Sequence, residues 1–172
     1  MGKAITKAIS MVIVGYDFDT YATYSAWLVD GKLELLQIAE RPRKKAFIER
    51  IKGPTKPLKR TVWPEKKTAM WDEDVVWAAI EGYSSHYDKG GKLAYIFWDL
   101  VVSCRYWGAT ELILPPLSWK KHIGLPALAK KDEVKQRVCD LYPELPKDLR
   151  QDHYDALGIA HAAWRIIKLE PD

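Results

Sequence analysis

The Asp30-Gly31 dipeptide lies between two runs of strand-forming residues, and this pattern constrains the fold more than any other local feature. Asp-Gly is a favoured two-residue hairpin connection because both turn positions require a positive φ. The runs on either side, 23–29 and 33–38, therefore predict an antiparallel hairpin. Another apolar, β-rich run at 11–15 precedes them, so we expect the chain to begin with three antiparallel strands.

An alternation of helices and strands is expected after this hairpin. Residues 75–80 form a continuous apolar run, typical of a strand covered on both faces, and 110–114 form a shorter one. Residues 93–107 are apolar almost all round and stop at Gly108, which predicts a buried helix with a C-terminal glycine. Two more helices are predicted, at 131–141 and 154–169. We expect an α/β fold in which helices flank a central mixed five-stranded sheet, three antiparallel strands being followed by parallel ones.

The length of 172 residues suits one domain, and we expect a single domain over 1–172. A hydrophobic content of 48% is sufficient for a core and argues against a disordered protein. The two cysteines, Cys104 and Cys139, lack metal-binding spacing, so we expect a protein of the reducing cytoplasm. The N-terminus has no long apolar run, which argues against secretion and membrane insertion.

The positive charge of the chain is concentrated in residues 41–67. This segment has eleven lysines and arginines against two acids, a net +9, whereas the whole chain carries +4 and the remainder therefore −5. We predict a short helix at 41–52 and a proline-rich, basic loop after it. One interpretation is a surface for DNA phosphates, with Lys56, Lys59 and Arg60 as contacts and salt-dependent binding. The alternative is a solvated helix and loop.

Acidic side chains occur at the ends of three predicted elements. Asp17 and Glu81 each follow an apolar strand, where an ionised carboxylate is costly unless a metal ion or hydrogen-bond donors compensate it. Asp152 and Asp155 are spaced i, i+3 at the start of a helix, which places them on one face. Because parallel neighbouring strands end at the same sheet edge, we expect these acids to meet there.

Each acid also has an ordinary explanation. Asp17 is interpretable as a turn residue, Glu81 as a solvent-facing strand end, and Asp152 or Asp155 as a helix cap. Four carboxylates without a cysteine or histidine cluster nevertheless form the oxygen ligand set that Mg²⁺ prefers, with Mn²⁺ as a substitute. Two such ions, about 3.5–4 Å apart, can activate a water and stabilise the leaving 3′ oxygen of a phosphodiester.

Four segments resemble those of a known family: strand-Gly15-Tyr16-Asp17, strand-Ile80-Glu81, Trp119-Lys120 through Lys131-Asp132-Glu133-Val134, and Asp152-x-x-Asp155-Ala156-Leu157-Gly158-Ile159-Ala160. In order and spacing they resemble the RuvC Holliday-junction resolvases of the RNase H-like superfamily, particularly short phage-type members. The resemblance spans nearly the whole chain. It implies an RNase H-like sheet and a homodimer that nicks a four-way DNA junction symmetrically, in the cytoplasm of a bacterium or of a phage-infected host.

The resemblance also implies roles for individual residues. The metal-binding acids correspond to Asp17, Glu81, Asp152 and Asp155, and the small residues after Asp155 would let a helix lie close to the sheet. The basic residues near the scissile phosphate correspond to Lys120, or its neighbour Lys121, and to Lys131. A solvated helix start is the alternative interpretation of these lysines.

The chain departs from the family pattern at three positions. Phe18-Asp19 replaces the usual Pro-Gly after the first acid, so Asp19 competes with Asp17 as a candidate ligand. Tyr83 is the nearest counterpart of the family's base-stacking aromatic residue, which leaves the DNA sequence preference open. His153 lies one position away from the ligand spacing, and we expect it to support the site or to lie on the surface.

The sequence thus predicts a metal-dependent endonuclease that resolves four-way junctions by paired phosphodiester hydrolysis, that is, a crossover junction endodeoxyribonuclease. A nuclease for flaps or other branched DNA, or a ribonuclease for RNA/DNA hybrids, is the alternative on the same fold. A protein that binds branched DNA without cleaving it is an alternative of another class. The apolar segment 93–107 independently favours a homodimer, because a second copy would cover its outer side.

Overall fold

The computed structural model describes residues 10–40, 58–63, 75–83, 91–115, 117–146 and 148–169. The strands in these ranges are β1 (Met11–Phe18), β2 (Ala22–Val29), β3 (Lys32–Glu40), β4 (Leu58–Trp63), β5 (Val75–Glu81) and β6 (Thr110–Leu114). The helices in the same ranges are α1 (Lys92–Tyr106), α2 (Ser118–His122), α3 (Lys131–Leu141) and α4 (Gln151–Leu169).

The strands form one mixed sheet in the order β4-β3-β2-β1-β5-β6. β1 to β4 pair with their neighbours in antiparallel fashion, and β1, β5 and β6 run parallel. The predicted mixed sheet of three antiparallel and then parallel strands, flanked by helices, is therefore confirmed. Asp30 and Gly31 have φ values of 49° and 81°, as the predicted hairpin turn requires.

β4 is a strand that the sequence reasoning did not predict. The stretch after residue 52 was expected to be a loop because of its prolines, and this is wrong for Leu58–Trp63, which pairs with β3. Pro57 and Pro64 directly flank the strand in the sequence, so they bound it without interrupting its ladder. The predicted helix at 41–52 lies outside the described residues.

The predicted helix at 93–107 is present as α1, but the expectation that it is buried is wrong. Ile96, Phe97, Val101 and Cys104 are buried, whereas its opposite side is exposed. The predicted C-terminal glycine is confirmed, because Gly108 has a φ of 79° and its N–H donates to the Arg105 carbonyl.

The last helix, α4, begins at Gln151, three residues earlier than predicted, and α2 was not predicted at all. The sequence 118–122 is one turn long, too short for an apolar period to be recognised. No helix in the described part of the chain is long and apolar enough to cross a membrane.

The helices lie on the two faces of the sheet. One face packs against α2, α3 and α4 around a core that includes Ile13, Tyr24 and Trp119. The other face packs against α1 through residues such as Val14 and Phe97. The site described below lies where α4 meets the carboxyl ends of β1 and β5.

Candidate active site

The carboxyl ends of β1 and β5 place two acids side by side. The parallel register pairs Tyr16 with Ile80, so Asp17 and Glu81 occupy the next positions of adjacent strands. Asp17 lies within β1, one residue before its end, whereas the sequence reasoning placed it after the strand. Glu81 is the last residue of β5.

Close packing of α4 on β1 delivers the other two acids to the same edge. A Cβ added at Gly15 would overlap the carbonyl oxygen of Ala156 and would lie 2.5 Å from the backbone nitrogen of Ala160. The helix backbone therefore rests directly on the strand, as the small residues predicted. Asp152 and Asp155 lie in the first two turns of α4, and their charges act on the Asp17 carboxyl.

The pKa values of two of these acids reflect their crowding. The pKa of Asp17 is raised well above its usual range by burial and by the charges of Asp155, Glu81 and Asp152. Burial raises the pKa of Asp155 to about 6, although hydrogen bonding from Gln151 and the charge of Lys131 oppose the shift. Carboxylates that repel one another in a partly buried pocket favour a cation or a proton between them.

Three of the four carboxylates accept a hydrogen bond from a nearby protein group. The donors are the Phe18 N–H to Asp17 (2.8 Å), the Trp119 indole N–H to Glu81 (3.2 Å) and the Gln151 amide to Asp155 (2.9 Å). The fourth carboxylate, Asp152, lies close enough to Tyr24 for its charge and hydrogen bonding to raise the pKa of the Tyr24 hydroxyl. Within the described ranges, no three histidine, cysteine, aspartate or glutamate side chains are arranged to hold a metal ion. The four carboxylates thus supply the oxygen ligands that a divalent cation requires. They are not gathered around one point in this structure.

Trp119 is a contributor to this site that the sequence reasoning did not find. Its side chain is buried in the core, and its N–H donates to Glu81 from 38 positions along the chain. Gly158 makes room for the ring, because a Cβ at Gly158 would lie 2.5 Å from Trp119 Cζ3. The segment from Trp119 and the Gly158 of the helix motif were both quoted for the family resemblance, but their mutual contact was not expected.

Comparison with solved structures identifies this architecture. The structure of RuvC from Thermus thermophilus matches with a TM-score of 0.56 at 15% identity, covering 92% of this chain and 96% of that one. T. thermophilus RuvC in complex with a Holliday junction substrate matches with a TM-score of 0.62 at 14% identity and the same coverage. The fold is RuvC-like. No protein-family model and no curated protein sequence matches the chain.

The predicted basic residues have different surroundings in this RuvC-like fold. Lys131, the first residue of α3, is exposed and acts electrostatically on Asp155. The Lys120 ammonium donates to the Ala129 carbonyl at 2.8 Å, which ties α2 to the segment before α3. Lys121 is exposed on α2.

Tyr83 follows Glu81 by two residues and is partly buried. Its ring lies 6.4 Å from that of Phe97, centroid to centroid, and Phe97 also lies 6.2 Å from Phe18. An aromatic cluster therefore borders the acids on the α1 side of the sheet. Of the predicted basic contacts, Lys59 and Arg60 lie in β4 with side chains outside the described part, and Lys56 lies wholly outside the described residues.

Asp19 forms hydrogen bonds within a turn, and His153 is buried against Tyr24. Asp19 Oδ1 accepts hydrogen bonds from the backbone N–H groups of Tyr21 (2.5 Å) and Ala22 (2.7 Å), which is a turn-forming role. His153 is only 4% exposed, so the expectation of a surface position is wrong. Its ring meets Tyr24 edge-on at a centroid distance of 4.9 Å, beside the residue that contacts Asp152.

Proposed function

We propose that this protein is a metal-dependent, structure-selective DNA endonuclease that resolves four-way junctions by paired phosphodiester hydrolysis. The observation that carries the proposal is the cluster of Asp17, Glu81, Asp152 and Asp155 at the carboxyl edge of the sheet. The RuvC-like fold supports it, since one RuvC structure of similar fold contains a Holliday junction substrate. The sequence resemblance to short phage-type resolvases points the same way. From the same resemblance we propose that the protein acts in the cytoplasm.

The cofactor we propose is Mg²⁺, for which Mn²⁺ would substitute, held by the same four acids. Oxygen ligands alone favour these hard cations. When bound, such ions activate a water and stabilise the leaving 3′ oxygen of the phosphodiester. To bind a common ion, the acid side chains would have to turn toward one point.

Basic side chains would position the DNA around these acids. Lys131 is exposed beside Asp155, so it is our first candidate for contact with the scissile phosphate. The same role for Lys120 requires release of its bond to Ala129, and Lys121 is the exposed neighbour that would replace it. Tyr83 would stack on an unpaired base, as aromatic residues do in single-strand recognition.

We further propose that the protein is a homodimer, as symmetric nicking of a junction requires. Four aromatic or aliphatic side chains lie along the outer side of α1 at helical spacing: Tyr95 is 51% exposed, Trp98 56%, Val102 61% and Tyr106 87%. Their spacing places them on one stripe, and a continuous apolar stripe of this kind marks an interaction surface. A second copy of α1 about a two-fold axis would bury it.

The segment 41–67 would add electrostatic affinity through Lys56, Lys59 and Arg60. Its net charge of +9 is the support for this role. We expect a triple charge-neutralising variant to bind junctions more weakly and with a smaller dependence on salt. An unchanged affinity and salt slope would favour the solvated-loop interpretation.

One experiment distinguishes the proposed function from its alternatives. Labelled four-way junction, flap, duplex and RNA/DNA-hybrid substrates are incubated with the protein, with and without Mg²⁺. Symmetric nicks in the junction that require Mg²⁺ are the expected result. Equal cleavage of flaps, or cleavage of the hybrid alone, would identify the nuclease alternatives, and tight junction binding without any cleavage would identify the binding protein.

A further inference from the structure

Tyr24 lies between the strand acid and the helix acids. In the antiparallel register of β1 and β2, Tyr24 is directly opposite Asp17. Directly opposed residues project from the same face of a sheet, here the face that α4 covers. The side chain of Tyr24 is only 1% exposed, and its ring meets that of His153 in the first turn of α4. The side chain of Tyr24 therefore extends from the sheet to the first turn of α4, the helix that bears Asp152 and Asp155.

The hydroxyl group of Tyr24 joins two charged side chains. It accepts a hydrogen bond from Arg150 Nη1 at 3.1 Å, and the Asp152 carboxylate lies close enough to act on it by charge and by hydrogen bonding. An ionised carboxylate can only accept hydrogen bonds, so the phenol O–H is the donor toward Asp152. Burial, and after it the charge of Asp152, raise the pKa of Tyr24 to about 12.

This arrangement differs from that of an ordinary core tyrosine. Tyr154 on α4 is equally buried, and its hydroxyl donates to the Pro146 carbonyl at 3.3 Å. Tyr24 instead contacts a carboxylate of the candidate site and is itself contacted by a guanidinium. Hydrogen bonds with an ionised partner are roughly twice as strong as neutral ones, and a chain of them polarises each member.

We propose that Tyr24 is a positioning residue for Asp152, and that Arg150 acts through Tyr24, so that together they orient this carboxylate toward a divalent cation. The inference rests on the proposed function, since it assumes that Asp152 is a metal ligand. One lone pair of Asp152 is used by the phenol, and the other acceptor sites are left for the cation. Outer partners of this kind typically change metal affinity or activity by about 10- to 100-fold when they are removed.

The test measures Mn²⁺ affinity of the full-length protein by calorimetry in the absence of DNA. The variants are Tyr24→Phe, Arg150→Gln, their double combination, and Tyr154→Phe as a matched control that loses a buried tyrosine hydroxyl elsewhere. Thermal unfolding in EDTA is recorded for each. Junction cleavage is then measured at limiting and at saturating Mn²⁺.

We expect Tyr24→Phe to weaken Mn²⁺ binding by about 10- to 100-fold and to lose cleavage at limiting Mn²⁺ but regain most of it at saturation. Tyr154→Phe should bind Mn²⁺ like the wild type, even if it lowers the unfolding temperature. Arg150→Gln, at an exposed position, should weaken binding less than Tyr24→Phe. The double variant should bind no more weakly than Tyr24→Phe, because Arg150 acts through the phenol.

Mn²⁺ affinity of Tyr24→Phe equal to that of Tyr154→Phe would overturn the inference while leaving the proposed function intact. Fully additive effects of the two single substitutions would overturn the part assigned to Arg150. A wild-type protein that neither binds Mn²⁺ nor cleaves any branched substrate would refute the proposed function itself, and the inference with it. Measurements on the wild type therefore distinguish failure of the inference from failure of the proposed function.

Discussion

Replacing Asp155 by Asn is expected to abolish junction cleavage and, in the absence of metal, to make the protein more stable. The Asp155 carboxyl has its pKa raised from 3.8 to about 6, mainly by burial. A pKa difference of one unit corresponds to about 1.36 kcal/mol. The ionised form therefore destabilises the folded protein by up to about 3 kcal/mol at neutral pH, and solvent screening of this partly buried group reduces the expected value to about 2 kcal/mol.

The pH dependence of this effect has a definite sign. Between pH 3.8 and about 6 the folded protein retains a proton that the unfolded chain has lost. Stability is therefore lost as the pH rises through this window, and the loss is complete above it. Asparagine does not ionise, so the variant should match the wild type near pH 4 and exceed it by about 2 kcal/mol at pH 8, or by about 4–8 °C in unfolding temperature.

The assay is denaturant unfolding in EDTA at both pH values, followed by single-turnover cleavage of a four-way junction in Mg²⁺. Asp140→Asn is a matched control, because Asp140 also accepts a hydrogen bond from a glutamine four residues earlier, Gln136, at 2.8 Å, but is exposed on α3. Saturating Mn²⁺ should stabilise the wild type more than Asp155→Asn, since a ligand of the folded state stabilises it by mass action.

Two results would refute this reasoning. Lower stability of Asp155→Asn than of Asp140→Asn at pH 8 in EDTA would mean that the Asp155 carboxylate stabilises the fold, for example through its hydrogen bond from Gln151. Near-normal nicking by Asp155→Asn would remove it from the catalytic site. Junction binding should survive, or improve, because the substitution removes one charge that repels DNA.

Four further substitutions test the packing, the site and the assembly. Gly15→Ala should lower the free energy of unfolding by about 3 kcal/mol, because its Cβ would meet the backbone of α4. Gly108→Ala, which has open space around it, should lower it by only about 1 kcal/mol. Equal losses for the two variants in urea unfolding would contradict this reasoning. Trp119→Phe removes the hydrogen-bond donor to Glu81. It should slow single-turnover cleavage about 10-fold or more without changing junction affinity. A wild-type cleavage rate would show that the Trp119–Glu81 hydrogen bond has no role in the reaction. Trp98→Glu should convert the proposed homodimer into a monomer in sedimentation experiments, and a wild type that already sediments as a monomer would refute the homodimer.

Much of the fold was predictable because strand and helix periods are local properties of the sequence. The hairpin at Asp30-Gly31 follows from backbone φ preferences, and the positions of Asp17 and Glu81 follow from apolar runs that end at the same edge of a parallel sheet. β4 was missed because its flanking prolines were interpreted as signs of a loop. The helix α1 was expected to be buried, whereas one of its sides is exposed, because apolar composition does not reveal which face the sheet covers.

The parts of the site that the sequence did not reveal depend on contacts between distant segments. Tyr24 is one aromatic residue among several in β2, and its role appears only when the register with β1 and the approach of Arg150 are known. Trp119 likewise contacts Glu81 and Gly158 from a helix too short to be recognised. Neither residue carries a charge that would single it out as part of a metal site.

The packing of α4 explains how four acids are held close together at one edge of the sheet. Ionisation of Asp17 and Asp155 opposes folding, as the raised pKa values of these two carboxyl groups indicate. The buried side of α4 opposes this repulsion, because Ala156, Leu157 and Ile159 are fully buried behind the acids. Apolar burial of this kind stabilises by about 25 cal/mol per Å², and the Gly15 contact fixes the height of the helix above the strand. The fold therefore tolerates a destabilising cluster at one edge, and we expect the proposed divalent cation to relieve part of this cost when it binds.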